Sequence, residues 1–194
     1  MRHYLIALGL LGSSQLALAE QDPFVSMSLF FTPVSEVDSD VGGTFDGSGF
    51  GGRVEVGGAL HAYAEYMLGN LDDNAADLDF SDTRLGVAYR SHMDAGYILA
   101  AIEHADLDFD IGGEEKGVGV HLGAGFDATD SVGIYGRVGM LSLDNLDGPE
   151  VRFGATAKLN QGTKVYAEYR SAMLSETGND VDVTDLRVGV NFSF

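Results

Sequence analysis

The last ten residues of the chain alternate strictly between polar and apolar side chains. In Asp185–Phe194, Leu, Val, Val, Phe and Phe fall on one face, and Asp, Arg, Gly, Asn and Ser fall on the other. This period of two is that of a β-strand, because successive residues of a strand point to opposite faces. The same alternation recurs in 118–126 and 151–159. The sequence therefore predicts an all-β protein.

The alternation divides the chain into ten predicted strands, and no segment has a helical period. They lie near 23–32, 49–57, 60–68, 82–91, 95–104, 116–127, 131–142, 150–159, 163–171 and 183–194. Short turns between them alternate with long connections at 33–48, 69–81, 105–115, 143–149 and 172–182. This order predicts an up-and-down antiparallel β-barrel of ten strands with both termini at the short-turn end. A barrel of eight strands is the alternative.

Two residue series repeat once per predicted hairpin. Arginines at 53, 84, 152 and 187 are 31, 68 and 35 residues apart, which is one, two and one periods of about 34. Tyrosines at 63, 97, 135 and 166 are 34, 38 and 31 residues apart, on the other strand of each hairpin. The two series in phase support a repeated hairpin unit.

The first 19 residues have the order of a secretory signal peptide. Arg2 and His3 precede an apolar stretch at 4–11, and the small-residue site Ala17-Leu18-Ala19 follows. The apolar stretch is shorter than the ~20 residues that a transmembrane helix needs. We therefore expect a signal peptide at 1–19 and a barrel domain at 20–194; a short N-terminal helix is the alternative.

Charge and cysteine content exclude several classes of function. The net charge of −19 is opposite in sign to that of a surface that binds nucleic acid phosphates. The chain contains no cysteine, so a disulfide framework and thiolate metal ligands are excluded. Its hydrophobic content of 45% is too high for a disordered acidic protein.

The apolar face of the strands is predicted to face lipid. The signal peptide, strands of about 9–11 residues and the alternation of long and short connections are typical of outer-membrane barrels. Glycines at 119, 123, 125, 139 and 154 share the polar face with Arg and Tyr, which suits a crowded barrel interior. A secreted, lipocalin-like barrel with its apolar face inside is the alternative.

The C-terminal strand, which ends in Phe194, resembles the last strand of Gram-negative outer-membrane barrels. Glycine-rich hairpins such as 133–139 are similar to those of the small OmpA/OmpX-like barrels. The resemblance covers 23–194, but many members have eight strands, whereas ten are predicted here. It implies an integral protein of the Gram-negative outer membrane that contacts lipid and lipopolysaccharide. It also implies an assembly signal, read by the barrel-assembly machinery, at Val188, Val190, Phe192 and Phe194.

The polar face predicts a charged barrel interior. Its candidate lining residues are Arg53, Glu55, Tyr63, Glu65, Arg84, Arg90, Tyr97, Glu103, His121, Tyr135, Arg137, Arg152, Lys158, Tyr166, Glu168, Arg170 and Arg187. Asp185 faces the same way. Charges in a narrow interior must pair or stay hydrated. A salt-bridge and tyrosine network that fills the barrel is one interpretation. A narrow pore that favours small anions, because the assigned charges are net basic, is the other.

Most of the acidic residues fall in the predicted long loops, which are expected to face the outside. Asp77-Leu78-Asp79-Phe80 and Asp106-Leu107-Asp108-Phe109 repeat one DLDF unit there. The segment from Asp106 begins like a calcium-binding EF-hand loop, but Ile111 and Gly117 occupy positions that need Gly and Glu. We expect no specific metal site and no cofactor. Weak binding of divalent cations, bridging to lipopolysaccharide phosphates, is the further expectation for these loops.

Catalytic motifs are absent from the sequence. It contains no G-x-S-x-G, H-E-x-x-H or P-loop. His104, two residues before Asp106, occupies a position of the alternation that faces lipid. His121 is expected to be a structural hydrogen-bonding residue. The leading interpretation is a non-enzymatic outer-membrane barrel with a structural or surface-interaction role. A protease of the omptin type or a lipid-modifying enzyme is the more remote alternative.

Overall fold

The computed structural model describes residues 24–40, 42–73, 77–110, 113–176 and 179–194. The predicted signal peptide at 1–19 lies outside these residues. The ten strands are β1 (Phe24–Ser39), β2 (Gly43–Gly57), β3 (Leu60–Asp72), β4 (Asp77–Met93), β5 (Gly96–Phe109), β6 (Gly113–Asp127), β7 (Val132–Leu143), β8 (Asp147–Asn160), β9 (Thr163–Glu176) and β10 (Asn179–Ser193).

The strands form one closed antiparallel barrel. Each strand pairs with its neighbours in the sequence, and β1 pairs with β10 to close the sheet. This confirms the predicted ten-strand, up-and-down topology. The end that carries the first and last described residues and the four short turns is called the turn end, and the opposite end is called the hairpin end. No helix in the described ranges is long and apolar enough to cross a membrane.

The predicted long loops are wrong, because strands occupy most of them. β1 and β2 pair up to Ser39 and Gly43, and β4 and β5 pair up to Phe80 and Phe109. The alternation simply continues at the hairpin end: Leu78 is buried, whereas Asp77 is exposed. The acidic residues there belong to long, paired hairpins, and their backbone groups are hydrogen-bonded rather than free.

Pro33 lies just beyond residue 32, where the first predicted strand ends, but β1 continues past it. Proline lacks the N–H group that a sheet ladder needs and is confined to edges and bulges. The pairing register of β1 shifts between Phe31 and Val34, so the strand absorbs Pro33 in a bulge and continues. Phe31 and Val34 both stay exposed across this bulge.

The outer face of the barrel carries a continuous apolar band. Every strand contributes large, exposed apolar side chains to it, such as Leu29, Val54, Leu85, Ile102, Leu122, Val138, Phe153, Met173 and Val188. On β3 the band runs from Leu60 to Leu68, and the outward positions beyond it are Asn70 and Asp72. A band nine residues tall on a tilted strand has the height of a lipid hydrocarbon core.

The tyrosine series has a structural cause. The register places each of these rings directly opposite a glycine of the next strand, in the pairs Tyr63–Gly86, Tyr97–Gly125, Tyr135–Gly154 and Tyr166–Gly189. A Cβ atom at Gly125 would lie 2.5 Å from the Tyr97 ring. Glycine therefore provides the room in which each ring lies against the sheet, as in other pairs of an aromatic residue with glycine.

Candidate functional site

The residues predicted to line the interior lie on the inner face of the barrel. Sixteen of the seventeen are buried or half-buried, and the exception is Lys158. Lys158 is exposed at the turn end, where its Nζ donates to the backbone carbonyl of Asp130 at 3.1 Å. These side chains thus lie at successive levels of one interior, and most of them take part in one ion-pair network.

Eight of the buried charges form a closed circuit, which we call the ion-pair ring. Its members in order are Asp82, Arg84, Glu150, Arg152, Glu65, Arg187, Asp185 and Arg170, after which it returns to Asp82. Seven of its contacts measure 2.5–3.3 Å. No member is more than 5% exposed. The ring joins β3, β4, β8, β9 and β10 across the barrel.

Glu103 is a second centre of the network, beside the ring. It accepts hydrogen bonds from Arg84 at 2.7 Å and Arg137 at 2.8 Å, and Tyr63 donates to it as well. His121 Nε2 lies 3.0 Å from the same carboxylate. A carboxylate with this many donors is held in its ionised form and fixed in position.

One group within the network has the composition of a metal site. Ligand atoms of Glu103, His121 and Glu150 lie within 4.8 Å of one another. The guanidinium groups of Arg84 and Arg152 already contact these carboxylates. Their positive charges neutralise the site from within the protein and compete with any cation for the same oxygen atoms.

Sequence reasoning missed two members of the ring. Asp82 and Glu150 are each 1% exposed, and they lie two residues before Arg84 and Arg152. Extending the period of two by one step would have found both. With them the salt-bridged interior holds seven arginines and seven carboxylates. Together with Lys158, the interior charges assigned from the sequence then number eight basic and seven acidic, so the basic excess falls from three charges to one.

Apolar side chains fill the interior on the hairpin side of the ring. Leu78 and Phe80 of one DLDF unit and Leu107 and Phe109 of the other all point inward, and the two phenylalanine rings stack at 5.2 Å. Sixteen buried residues form this apolar cluster: Phe30, Val37, Phe45, Met67, Leu71, Leu78, Phe80, Ala105, Leu107, Phe109, Leu141, Leu143, Leu146, Ala172, Leu174 and Val183. Among them, Phe30 lies against Arg187 and extends the cluster to the turn side of the ring. Twelve of the sixteen residues lie in segments that the sequence analysis assigned to loops.

Carboxylates cover the outside of the hairpin end, and we call this region the acidic surface. It extends over β10 and β1 to β5, directly beyond the apolar band. Its outward-pointing members are Glu36, Asp38, Asp46, Asp72, Asp77, Asp79, Asp106, Asp108, Asp180 and Asp182. These residues were expected in the long loops, whereas the structure places them on strands.

Several carboxylates of the acidic surface stand directly opposite one another. The register pairs Asp38 with Asp182, and Asp46 with both Glu36 and Asp72. Partial burial and the charge of Asp46 raise the pKa of Glu36, and partial burial and the charge of Asp38 raise the pKa of Asp182. Like charges at such positions destabilise a sheet. The opposed carboxylates therefore repel one another and weaken the pairing of these strands.

Two other groups of predicted residues lie on the outer face. His104 is exposed on β5, and the nearby Asp106 lies 3.7 Å from Lys116 rather than forming a pair with a histidine. The C-terminal residues Val188, Val190, Phe192 and Phe194 lie on the apolar side of β10, where Val188 and Phe194 are exposed. The outward face of the last strand is therefore apolar toward the turn end, whereas Asp180 and Asp182 make it acidic at the hairpin end.

Comparison with known proteins identifies the fold. No protein-family model matches the chain, and no curated protein matches it. Among solved structures, the outer membrane protease OmpT from Escherichia coli is 10% identical, with a TM-score of 0.61 over 90% of this chain and 98% of that one. Neisserial surface protein A is 14% identical, with a TM-score of 0.50 over 89% and 97%. The chain thus has the fold of small outer-membrane β-barrels.

Proposed function

We propose that this chain is an integral, non-enzymatic barrel of the Gram-negative outer membrane that presents its acidic surface outside the cell. The apolar band supports insertion in lipid, because its height suits a hydrocarbon core. The turn end then faces the periplasm, and the long hairpins face outward, as is usual for this class. The proposed partners are lipid, lipopolysaccharide and, during biogenesis, the barrel-assembly machinery acting on the C-terminal strand.

The filled interior is the observation that supports a structural role rather than a transport role. In the described residues, the apolar cluster and the ion-pair ring occupy successive levels of the barrel. Small barrels are commonly filled by their own side chains, whereas aqueous channels need many more strands. Both levels would have to rearrange before an ion could pass from one end to the other.

We expect the protein to show no steady conductance in a planar lipid bilayer. The buried apolar side chains Phe80, Leu107 and Leu141 exclude water from the level that they occupy. Single-channel recording measures this, with a heat-dependent shift in gel mobility confirming that the barrel is folded in the same membranes. Reproducible, anion-favouring current steps would contradict a sealed interior and would support the narrow pore instead.

The acidic surface is suited to contact lipopolysaccharide through divalent cations. It begins where the apolar band ends, which places its carboxylates at the level of lipid headgroup phosphates. Carboxylate and phosphate repel each other unless cations lie between them, and Mg²⁺ and Ca²⁺ prefer oxygen ligands. We propose that the acidic surface is weakly bridged to lipopolysaccharide in this way.

Millimolar Mg²⁺ is expected to raise the thermal midpoint of the detergent-solubilised barrel more than NaCl of equal ionic strength does. Lowering the pH is expected to act in the same direction. The raised pKa values of Glu36 and Asp182 mean that these groups destabilise the fold at neutral pH and that stability returns as the pH falls through those values. Thermal melts followed by circular dichroism measure both effects.

The double variant Asp38→Asn/Asp182→Asn is the control. Because it removes one directly opposed pair, it should melt higher than the parent protein without Mg²⁺ and gain less when Mg²⁺ is added. The matched variant Asp94→Asn, in a turn at the opposite end, should leave the response unchanged. An equal Mg²⁺ response in all three proteins would contradict a role for the acidic surface.

The proposal gives the chain no catalytic role. The outward position of His104 and the pairing of Asp106 with Lys116 support this assignment, because hydrolysis by a histidine and a carboxylate needs the two groups to share a proton path. Glu103 and His121 do lie together, but they are buried among arginines within the network, away from either end of the barrel.

A further inference from the structure

A cavity occupies the interior on the turn side of the ion-pair ring. Its volume is about 390 Å³, within the range of small-molecule sites. It continues into the mouth of the barrel at the turn end, which is lined by His92, Lys164 and Asn191 among others. At its inner end it meets Arg152 and Arg187 of the ring. The cavity is therefore a pocket that opens at one end of the barrel.

The cavity carries a surplus of positive charge, although the whole chain has a net charge of −19. Seven lysine and arginine side chains and four carboxylates line it. Three of these arginines, Arg137, Arg152 and Arg187, are paired with carboxylates behind the lining. Lys158 and Lys164 create most of this imbalance, since neither forms a salt bridge in the described residues. A concave, low-dielectric wall strengthens the attraction of such a surplus for anions.

Hydrogen-bond donors remain available around the cavity. Arg137 and Arg187 are at least nine-tenths buried, and the Nε atom of each has no acceptor among the described atoms. The hydroxyl groups of Tyr97 and Tyr166 likewise form no hydrogen bond within the described ranges, whereas Tyr135 donates to Glu168 at 3.0 Å. Unpaired buried donors are costly, so an acceptor that reaches one of them from the cavity gains a hydrogen bond.

The remaining wall is aromatic and apolar. The rings of Tyr97, Tyr135 and Tyr166 face the cavity together with Phe30 and Leu99. The Arg90 guanidinium lies 5.1 Å from the centre of the Tyr97 ring, so charge and aromatic surface adjoin each other at the entrance. Such a lining suits a molecule with a charged head and a flat or apolar body better than a bare inorganic ion.

We propose that this cavity binds a small organic anion from the turn side of the barrel. Its carboxylate or phosphate group pairs with Arg90 and Lys164, and its apolar body lies between the tyrosine rings. Arginine matches either oxyanion through two parallel N–H donors, so the head group is identified by class rather than by one compound. The ring and the apolar cluster prevent onward passage, which makes the cavity a binding site independent of any surface role.

Isothermal titration calorimetry on the full, folded chain in detergent micelles tests the proposal with phenyl phosphate and benzoate as probes. We expect one of them to bind at a single site, and the changes Arg90→Gln and Lys164→Gln each to weaken it at least tenfold. The matched control Lys116→Gln removes one positive charge from the outer face at the hairpin end and should leave the affinity unchanged. A heat-dependent gel shift verifies that each variant is folded.

Two further ligands test the charged head and the apolar body of the proposed ligand separately. Inorganic phosphate, which lacks the apolar body, and benzyl alcohol, which lacks the charge, should each bind at least tenfold more weakly than the better probe. The preference between phenyl phosphate and benzoate identifies the head group. No heat with either probe would overturn the proposal, as would equal affinity in Arg90→Gln, Lys164→Gln and Lys116→Gln.

Discussion

Replacing Arg84 by methionine should lower the free energy of unfolding by about 3–5 kcal/mol, the usual loss when one partner of a buried ion pair is removed. Arg84 is 1% exposed and contacts Asp82 at 2.5 Å, Glu103 at 2.7 Å and Glu150 at 3.1 Å. The methionine side chain fills much of the same volume, so the loss reports the unpaired carboxylates rather than a cavity. Guanidinium-induced unfolding in lipid vesicles, followed by tyrosine fluorescence, measures it.

Lys116→Met is the matched control for Arg84→Met. Lys116 contacts Glu114 at 2.5 Å, but both side chains are more than two-fifths exposed, so the loss should be far smaller than that of Arg84→Met. Adding Glu150→Gln to Arg84→Met should recover part of the loss, because it removes one of the unpaired charges. Equal losses in Arg84→Met and Lys116→Met would mean that water reaches the ring.

Replacing Leu122 by arginine should destabilise the membrane-inserted barrel by about 2–4 kcal/mol, the cost of a charge at the middle of the hydrocarbon core. Leu122 is 63% exposed, and it lies in the middle of the outward residues of β6, between Val118 and Phe126. Its neighbours across the strands are Ala100 and Val138, which offer no partner for a charge. The same vesicle unfolding measurement applies.

Ser142→Arg tests whether the depth of the residue in the membrane determines the loss of stability that Leu122→Arg causes. Ser142 is exposed on β7 near the hairpin end, where the outward face becomes polar. A charge at the edge of the membrane should cost only about 0–1 kcal/mol. Equal free energies of unfolding for Leu122→Arg and the parent would show that water, rather than lipid, covers the apolar band.

The strands were predictable from the sequence because their alternation is local. The terminal run 185–194 and the run 118–126 each show which side chains share a face without any knowledge of their neighbours. The ends of the strands were harder to predict, because proline at 33 and the clustered aspartates suggested loops. Aspartate is unfavourable in most strands, yet in the two DLDF units it simply occupies the outward positions.

Which side chains point into the barrel was also predictable, whereas the ion pairs that they form were not. The alternation along each strand placed Arg84, Arg152 and Arg187 inside. Their ion-pair partners, however, depend on how far each strand is displaced along the barrel axis relative to the others. Arg152 and Glu65 are 87 residues apart and lie on strands that are not neighbours in the sheet. The apolar cluster was missed for a different reason: most of its residues lie in segments that were interpreted as loops outside the barrel.

The ion-pair ring has a consequence for the order of folding events. It joins Glu65 to Arg187 across 122 residues and Asp82 to Arg170 across 88. A nascent sheet that lacks β8 to β10 would carry Glu65 without two of its three arginine partners. It would also carry Asp82 without Arg170, and Arg84 without Glu150. Exposing these charges to hydrocarbon is very costly. Productive insertion is therefore coupled to the arrival of the C-terminal strands, and partly built sheets have a strong energetic reason to remain at the membrane surface.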